Sequence, residues 1–171
     1  LVASVGGYFV SYGEETIAFH LYGGISTAVP LKAGRVKLRE VSTYPWSGSI
    51  RIKVDPEKRI AFDLKLRIPG WARQARATVN GETVDVELRT KNGYLSIARE
   101  WKPDDEVALE LPMPPERVYA HPSVRMDVGR VALKRGSLVV KRGKLLILLQ
   151  CFLASHVVAV IQFSKHQINM R

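Results

Sequence analysis

The sequence predicts an all-β fold, an antiparallel β-sandwich, from three observations. Short runs alternate apolar and polar residues with a period of two, as half-buried strands do. Turn-forming pairs such as Pro69-Gly70, Asn80-Gly81 and Asn92-Gly93 separate these runs. No long helical period lies between them, and short strands at this spacing are typical of a sandwich.

Two central strands carry the clearest alternation. The run 49–54 places isoleucine or valine at every second position, with Ser, Arg and Lys between them. The run 62–68 repeats the pattern and ends at Pro69-Gly70. Proline presets the φ angle of the first central position of a turn and glycine supplies a positive φ at the second, so the chain should reverse there.

A hairpin is predicted next, because 77–79 and 83–86 flank Asn80-Gly81, the dipeptide best suited to a type I′ turn. Asn92-Gly93 repeats this signal before a strand over 94–99. Both turns support antiparallel pairing of neighbouring strands.

Upstream, 16–22 and 36–43 are two more strand candidates, joined by a connection that contains Pro30 and Gly34. In the second candidate Val41 falls out of step with the apolar residues before it. A β-bulge near Arg39-Glu40 would restore the register.

The last strand of the sandwich, 106–111, is followed by Pro112, Pro114 and Pro115, which deny backbone donors to a continuing ladder. Beyond them, 117–140 contains two strand-like pieces around a turn at 134–136. Two strands alone cannot bury a core, so this second β domain is predicted to be incomplete.

The net charge of +10 is concentrated near one end of the chain, since all 16 acidic residues lie at or before Asp127. A nucleic-acid-binding fold usually spreads a basic face, with aromatic residues in it, over its ordered surface. This distribution therefore argues against a nucleic-acid partner.

An apolar run at 145–163 is long enough to span a bilayer, and the basic residues at 141–144 would then lie on the cytoplasmic side. The alternative is that the stretch is not native coding sequence, for example after a frameshift. A membrane partner is the less favoured of the two.

Several motifs together resemble glycoside hydrolase family 127, the β-L-arabinofuranosidase-like group, in the C-terminal β-sandwich region after its catalytic barrel. The resemblance covers 1–140 and stops abruptly after Val140. The motifs are the segments 1–8, Tyr44-Pro45-Trp46-Ser47-Gly48, 66–72, 79–82, 93–95, Trp101-Lys102-Pro103 and 129–140.

The resemblance implies a support domain without catalytic residues, cofactor sites or metal ligands of its own. In the family, a zinc-bound cysteine is the nucleophile and a glutamate the general acid/base, and neither maps onto this sequence. The implied partner is the family's catalytic barrel. The implied organisation is 1–15, the end of that barrel or a linker; 16–113, the sandwich; 114–140, an incomplete second sandwich; and 141–171, an aberrant basic and apolar tail.

Independent chemistry has few candidates. Cys151 is the only cysteine, so it can build neither a disulfide nor a cysteine-rich zinc site. The four histidines lack metal-binding spacing, and His20 is interpreted as a hydrogen-bonded sheet residue. The carboxylates of Glu14-Glu15 and 104–106 are adjacent in turns and should point apart, whereas retaining glycosidases need two carboxyl groups about 5 to 5.5 Å apart. The group 104–106 is predicted to be a solvated turn.

Tyr44, Trp46, Trp71 and Trp101 are the candidate contact residues. Their positions after a proline, a turn or a strand suit core packing or contact with a neighbouring domain, although aromatic side chains also stack on sugars. Three functions remain open: a support domain of an arabinofuranosidase, a stand-alone carbohydrate-binding module, and a membrane-tethered interaction domain. The single cysteine leaves the compartment undetermined.

Overall fold

A computed structural model describes residues 2–127 and 131–140. Their elements, in chain order, are a 3₁₀ helix Val2–Tyr8, β1 Val10–Tyr12, β2 Thr16–Phe19, β3 Ser26–Leu31, β4 Gly34–Ser42, β5 Ser49–Pro56, β6 Ile60–Arg67, β7 Arg76–Val79, β8 Glu82–Val84, α1 Val86–Arg89, β9 Thr90–Lys91, β10 Tyr94–Trp101, β11 Asp105–Glu110, β12 Pro115–Tyr119, a 3₁₀ turn Arg125–Asp127, β13 Val131–Arg135 and β14 Leu138–Val140.

Two sheets form the sandwich, which confirms the predicted fold class. One has the strand order β1-β2-β6-β10-β9 and the other β3-β4-β5-β11-β7-β8. All described pairings within them are antiparallel except that of β2 with β6, which is parallel. Every second residue of the central strands faces inward, and these side chains from both sheets join in one apolar core.

The predicted hairpin at Asn80-Gly81 is confirmed. Asn80 and Gly81 have φ angles of 52° and 85°, both positive as a type I′ turn requires. Its second strand is shorter than predicted, because Asp85 caps α1 by accepting a hydrogen bond from the Leu88 amide at 3.0 Å. An N-cap aspartate favours the helical turn over a continued strand.

The predicted bulge near Arg39-Glu40 is wrong. β4 pairs with β5 in continuous register from Val36 to Ser42, so Val41 points outward and Glu40 takes the inward position. The alternation fails in the sequence because a carboxylate, and not an apolar side chain, occupies a core-facing site. The register itself is unbroken.

The predicted connection before β4 contains a strand instead. β3 covers Ser26–Leu31 and includes Pro30, which an edge strand tolerates because one side of its ladder is unpaired. The strand before this connection is shorter than predicted, since β2 ends at Phe19 and not at Tyr22.

The described residues divide into two compact units. One contains the sandwich up to Pro114 together with Arg135–Leu138, and the other contains 115–127, 131–134 and 139–140. Strands β12, β13 and β14 form a three-stranded sheet. A turn is present in this region at 136–137, with Gly136 at a φ of 58°, but it lies later than the predicted 134–136 because Lys134 and Arg135 belong to β13. The domain boundaries drawn from the sequence stay predictions.

Candidate functional site: the aromatic end of the sandwich

Three loops meet at one end of the sandwich, which we call the aromatic end: residues 20–25, 43–48 and 68–75. They follow β2, β4 and β6, whose final residues lie at the same end because of the pairing registers. At Tyr22 a ring contact joins the loop 20–25 to the loop 43–48, and a hydrogen bond joins it to Arg67 at the end of β6. At the opposite, turn end lie the reversals 13–15, 57–59, 80–81 and 102–104.

Tyr22 is the centre of the aromatic end. Its hydroxyl donates to the Arg67 carbonyl oxygen at 2.8 Å, and its ring meets that of Tyr44 edge to face at a centroid distance of 6.1 Å. Burial, and then the nearby Glu40 carboxylate, raise the pKa of Tyr22 far above its usual value. The side chain is therefore locked in its neutral, donating form.

Trp46 and Trp71 lie at the same end in different settings. Trp71 lies within the turn that the Ala72 amide closes by donating to the Pro69 carbonyl at 2.9 Å, and its side chain packs partly buried against the core. Trp46 lies in a turn after Tyr44 and leaves 57% of its surface exposed. Among the candidates it offers the most surface to a partner.

Trp101 is separated from the other three candidates. It ends β10 at the turn end with 0% exposure, stacks on Phe62 at 5.5 Å and donates its indole N–H to the Phe62 carbonyl at 3.1 Å. The Arg99 guanidinium covers the outer part of the ring at 5.4 Å. Trp101 is a core residue, so no single surface unites the four aromatic candidates.

His20 lies directly after β2 and is hydrogen-bonded on both ring nitrogens. Nε2 lies 2.7 Å from the Ser11 hydroxyl oxygen, and Nδ1 lies 2.7 Å from the Tyr94 hydroxyl oxygen. The sequence reasoning missed this series of hydrogen bonds, because Tyr94 is 74 residues away from His20 and only the sheet topology brings the two residues together. The three groups are held by one another, as a structural histidine requires.

The adjacent carboxylates point apart, as predicted, but one of them is not solvated. Asp105 is 5% exposed; its carboxylate accepts hydrogen bonds from the Asn80 side-chain amide at 2.8 Å and the Lys102 backbone amide at 2.9 Å. Asp104 is exposed and pairs with Lys53 at 2.6 Å. The prediction of a solvated turn is wrong for Asp105, because it closes the turn before β11 from inside.

The remaining polar candidates give no metal site in the described residues. No group of three or more His, Cys, Asp or Glu side chains in 2–127 and 131–140 could hold a metal ion. Glu14 pairs with exposed Lys32 at 3.5 Å beside a shallow groove of about 580 Å³ at the turn end, away from the aromatic loops.

Predictions for Cys151, His156, His166 and the apolar run 145–163 lie outside the described residues. Within the described part, no helix is long and apolar enough to cross a membrane.

The two sheets and their shared apolar core define a β-sandwich domain, with Tyr22, Tyr44, Trp46 and Trp71 at its aromatic end. The sequence model of the β-L-arabinofuranosidase GH127 middle domain matches residues 16–113, which is more than half of the chain. The chain belongs to the glycoside hydrolase family 127 β-L-arabinofuranosidases. The matched part is a middle domain of that family, where the sequence predicted a C-terminal one.

Relatives of known sequence or structure agree. A non-reducing end β-L-arabinofuranosidase from Bifidobacterium longum is 32% identical over 147 residues, covering 81% of this chain and 21% of the relative. A GH127 β-L-arabinofuranosidase structure from Geobacillus stearothermophilus T6 is 45% identical with a TM-score of 0.75, over 81% of this chain and 22% of that one. A second GH127 β-arabinofuranosidase structure is 33% identical with a TM-score of 0.73, over 81% and 24%. The chain thus spans about a quarter or less of these enzymes.

Proposed function

We propose that this chain is a non-catalytic β-sandwich that supports the catalytic barrel domain of a family 127 β-L-arabinofuranosidase. The observation that carries the proposal is the aromatic end, where Tyr44 and Trp71 are partly buried and Trp46 is 57% exposed. Aromatic residues are enriched at interfaces between proteins and domains. The aromatic end is therefore the proposed contact with the barrel.

The absence of catalysis from this chain is part of the proposal. Asp104 and Asp105 are adjacent, but one pairs with Lys53 at the surface and the other is enclosed by Asn80 and Lys102. A retaining glycosidase needs two carboxyl groups about 5 to 5.5 Å apart across a cleft. Zinc does not fit the described residues either, since they contain no suitable group of ligands.

The full chain, purified alone, should release no L-arabinose from an aryl β-L-arabinofuranoside, with or without added zinc. The measurement is product release over time at high enzyme concentration. Zinc-dependent release by this polypeptide alone would place catalysis within it and overturn the proposal.

A chimera tests the support role directly. In the Geobacillus stearothermophilus enzyme, the equivalent segment is replaced by residues 9–113 of this chain, and hydrolysis and thermal unfolding are measured. We expect an active chimera whose melting temperature falls when Trp46 is changed to alanine, because the indole packs on the barrel. The same substitution in this chain alone should change its melting temperature little, since most of that side chain is exposed.

Tyr12 provides the matched control for Trp46. It is 56% exposed, also aromatic, and lies at the turn end. Tyr12→Ala should affect the chimera no more than it affects the chain alone. Equal losses from Tyr12→Ala and Trp46→Ala would show that the aromatic end is not the contact.

A carbohydrate-binding module is the second candidate, favoured by the exposed indole of Trp46, since sugars stack on such rings. Isothermal titration of the chain with arabinose-containing oligosaccharides separates the two functions. A support domain should give no binding heat. Binding that disappears in Trp46→Ala would favour the module instead.

A further inference from the structure

Glu40 is a carboxylate in the core of the sandwich. It faces inward from β4, directly opposite Ile52 of β5, and is only 2% exposed. Burying a carboxylate is costly unless its oxygen atoms receive hydrogen bonds. An apolar residue would fill this core position equally well, so packing alone does not explain a carboxylate here.

One oxygen of Glu40 is well satisfied and the other is not. Oε2 accepts hydrogen bonds from the Gly23 amide at 3.1 Å and the Gly24 amide at 2.9 Å. Oε1 is buried with no hydrogen-bond partner in the described protein. The Ser42 hydroxyl oxygen is also buried and has no partner there.

The two unpartnered oxygen atoms belong to neighbouring positions on one strand face. Residues two apart on a strand point to the same side and are separated by roughly 6.6 Å along it. One water molecule can bridge two oxygen atoms that are up to roughly 5.5 Å apart, twice a normal O–H···O distance. A buried polar group without a protein partner commonly binds such a water.

We propose that Glu40 and Ser42 form an internal binding site for one water molecule, which donates to Glu40 Oε1 and is held on its other side by the Ser42 hydroxyl. The ligand is a small neutral dipole and not a metal ion, because the described residues contain no group of three or more His, Cys, Asp or Glu side chains that could hold a metal. All oxygen atoms of the buried carboxylate are then hydrogen-bonded.

The hydrated carboxylate positions the loop at the aromatic end. Through Oε2 it holds the amides of Gly23 and Gly24, and Gly24 has a φ of 77°, a left-handed conformation that favours glycine. Tyr22 precedes this pair and packs on Tyr44. The water site is a property of the sandwich itself and stands whether or not a catalytic domain packs on this end.

The direction in which one substitution changes the melting temperature tests the water site. Ser42→Ala removes a partner of the water, so the melting temperature of the full chain should fall by about 3 to 6 °C. If the two oxygen atoms were instead dry, deleting an unpaired buried hydroxyl would leave the melting temperature unchanged or raise it, and the proposal would be overturned.

A double-mutant cycle of Glu40→Gln and Ser42→Ala gives a second readout. A shared water couples the two positions, so the combined fall in stability should be smaller than the sum of the single changes. Strict additivity would mean that the side chains share no ligand. A high-resolution crystal structure should show the water directly between them.

Hydrogen exchange of the Gly23 and Gly24 amides tests the positioning role. Glu40→Gln keeps an acceptor and should preserve their protection, whereas Glu40→Leu removes it and should speed exchange at least tenfold relative to amides in β5. Should Glu40→Leu fail to fold, Ser42→Ala and its double-mutant cycle with Glu40→Gln still decide whether the two side chains share a water molecule. Unchanged exchange in a folded leucine variant would show that Glu40 does not hold the loop.

Discussion

The two ends of the sandwich treat the same residue types in opposite ways. At the turn end, Trp101 is enclosed and its indole N–H is paired within the domain. At the aromatic end, Trp46 leaves more than half of its surface exposed. The tryptophan of the turn end is thus fully packed within the domain, whereas the tryptophan of the aromatic end leaves most of its surface uncovered in the described part of the chain.

The turn end is closed by a polar network as well as by packing. The Asn80 side chain donates to Asp105 and accepts from the Glu106 amide at 2.8 Å. The second carboxylate oxygen of Asp105 accepts from the Lys102 amide. Two separate reversals, 80–81 and 102–104, are therefore fastened to each other without help from any other domain.

Local sequence position explains the contrast between the tryptophans. Trp101 is the last residue of β10, opposite Ile60, so the alternation of the strand directs it inward. Trp46 lies in a turn, where no strand directs the side chain toward the core. The strand boundaries thus determine that one tryptophan is buried in the core and the other lies at the surface.

The largest effect is expected at the closed end, for Trp101→Ala. Removing a fully buried indole should lower the free energy of unfolding by about 3 to 5 kcal/mol. Chemical denaturation of the full chain measures this loss. Trp101→Phe keeps the stacking on Phe62 but leaves its carbonyl without the indole donor, so it should lose less.

A comparable loss for Trp46→Ala in the isolated chain would contradict the contrast between the two ends. That result would mean that the exposed indole carries stability within the domain. The expected change for Trp46→Ala in this assay is within about 0.5 kcal/mol.

Asp105→Ala should have the next largest effect. It deprives the Asn80 amide and the Lys102 amide of a buried charged acceptor, and such losses cost about 1.5 to 3 kcal/mol. Asp105→Asn retains the shape and part of the acceptor capacity, so it should cost less. If the alanine variant denatures like the unsubstituted chain, the network does not stabilise the turn end.

The sequence predicted the turn end better than the aromatic end. Asn80-Gly81 predicts its own hairpin, because the required positive φ angles are a local property. Glu40 misled the register, because its amide partners lie in a loop at 23–24 that alternation cannot reveal. The link between His20 and Tyr94 depends on sheet order, which local patterns do not encode. Long-range pairing is what separates the two cases.

Tyr22→Phe should have a smaller effect on the free energy of unfolding, and it should also change how that free energy depends on pH. At neutral pH it removes one hydrogen bond to the Arg67 carbonyl, worth about 0.5 to 1.5 kcal/mol. Because the folded-state pKa of Tyr22 is raised, its stabilising contribution is complete below the ordinary tyrosine pKa of about 10 and is lost as the pH rises above that value.

Denaturation curves between about pH 9 and 12 therefore check the environment of Tyr22. The unsubstituted chain should lose stability more steeply over this range than Tyr22→Phe. Parallel pH profiles would mean that Tyr22 ionises as easily in the folded state as in the unfolded chain.

The smallest effect is expected at Asp104, on the rim of the turn end. Its φ of 67° lies in the left-handed region, which costs energy for residues with a β-carbon. Asp104→Gly should raise the free energy of unfolding by at most about 1 kcal/mol, because the lost pair with Lys53 is exposed and contributes little.

The hydrogen bond to Asp104 raises the pKa of Lys53, so NMR titration should show that pKa falling in the glycine variant. Lys53→Ala is the control: it removes the ion pair but keeps the left-handed aspartate, and it should leave stability unchanged. A gain in Lys53→Ala equal to that in Asp104→Gly would assign the effect to charge and not to backbone conformation.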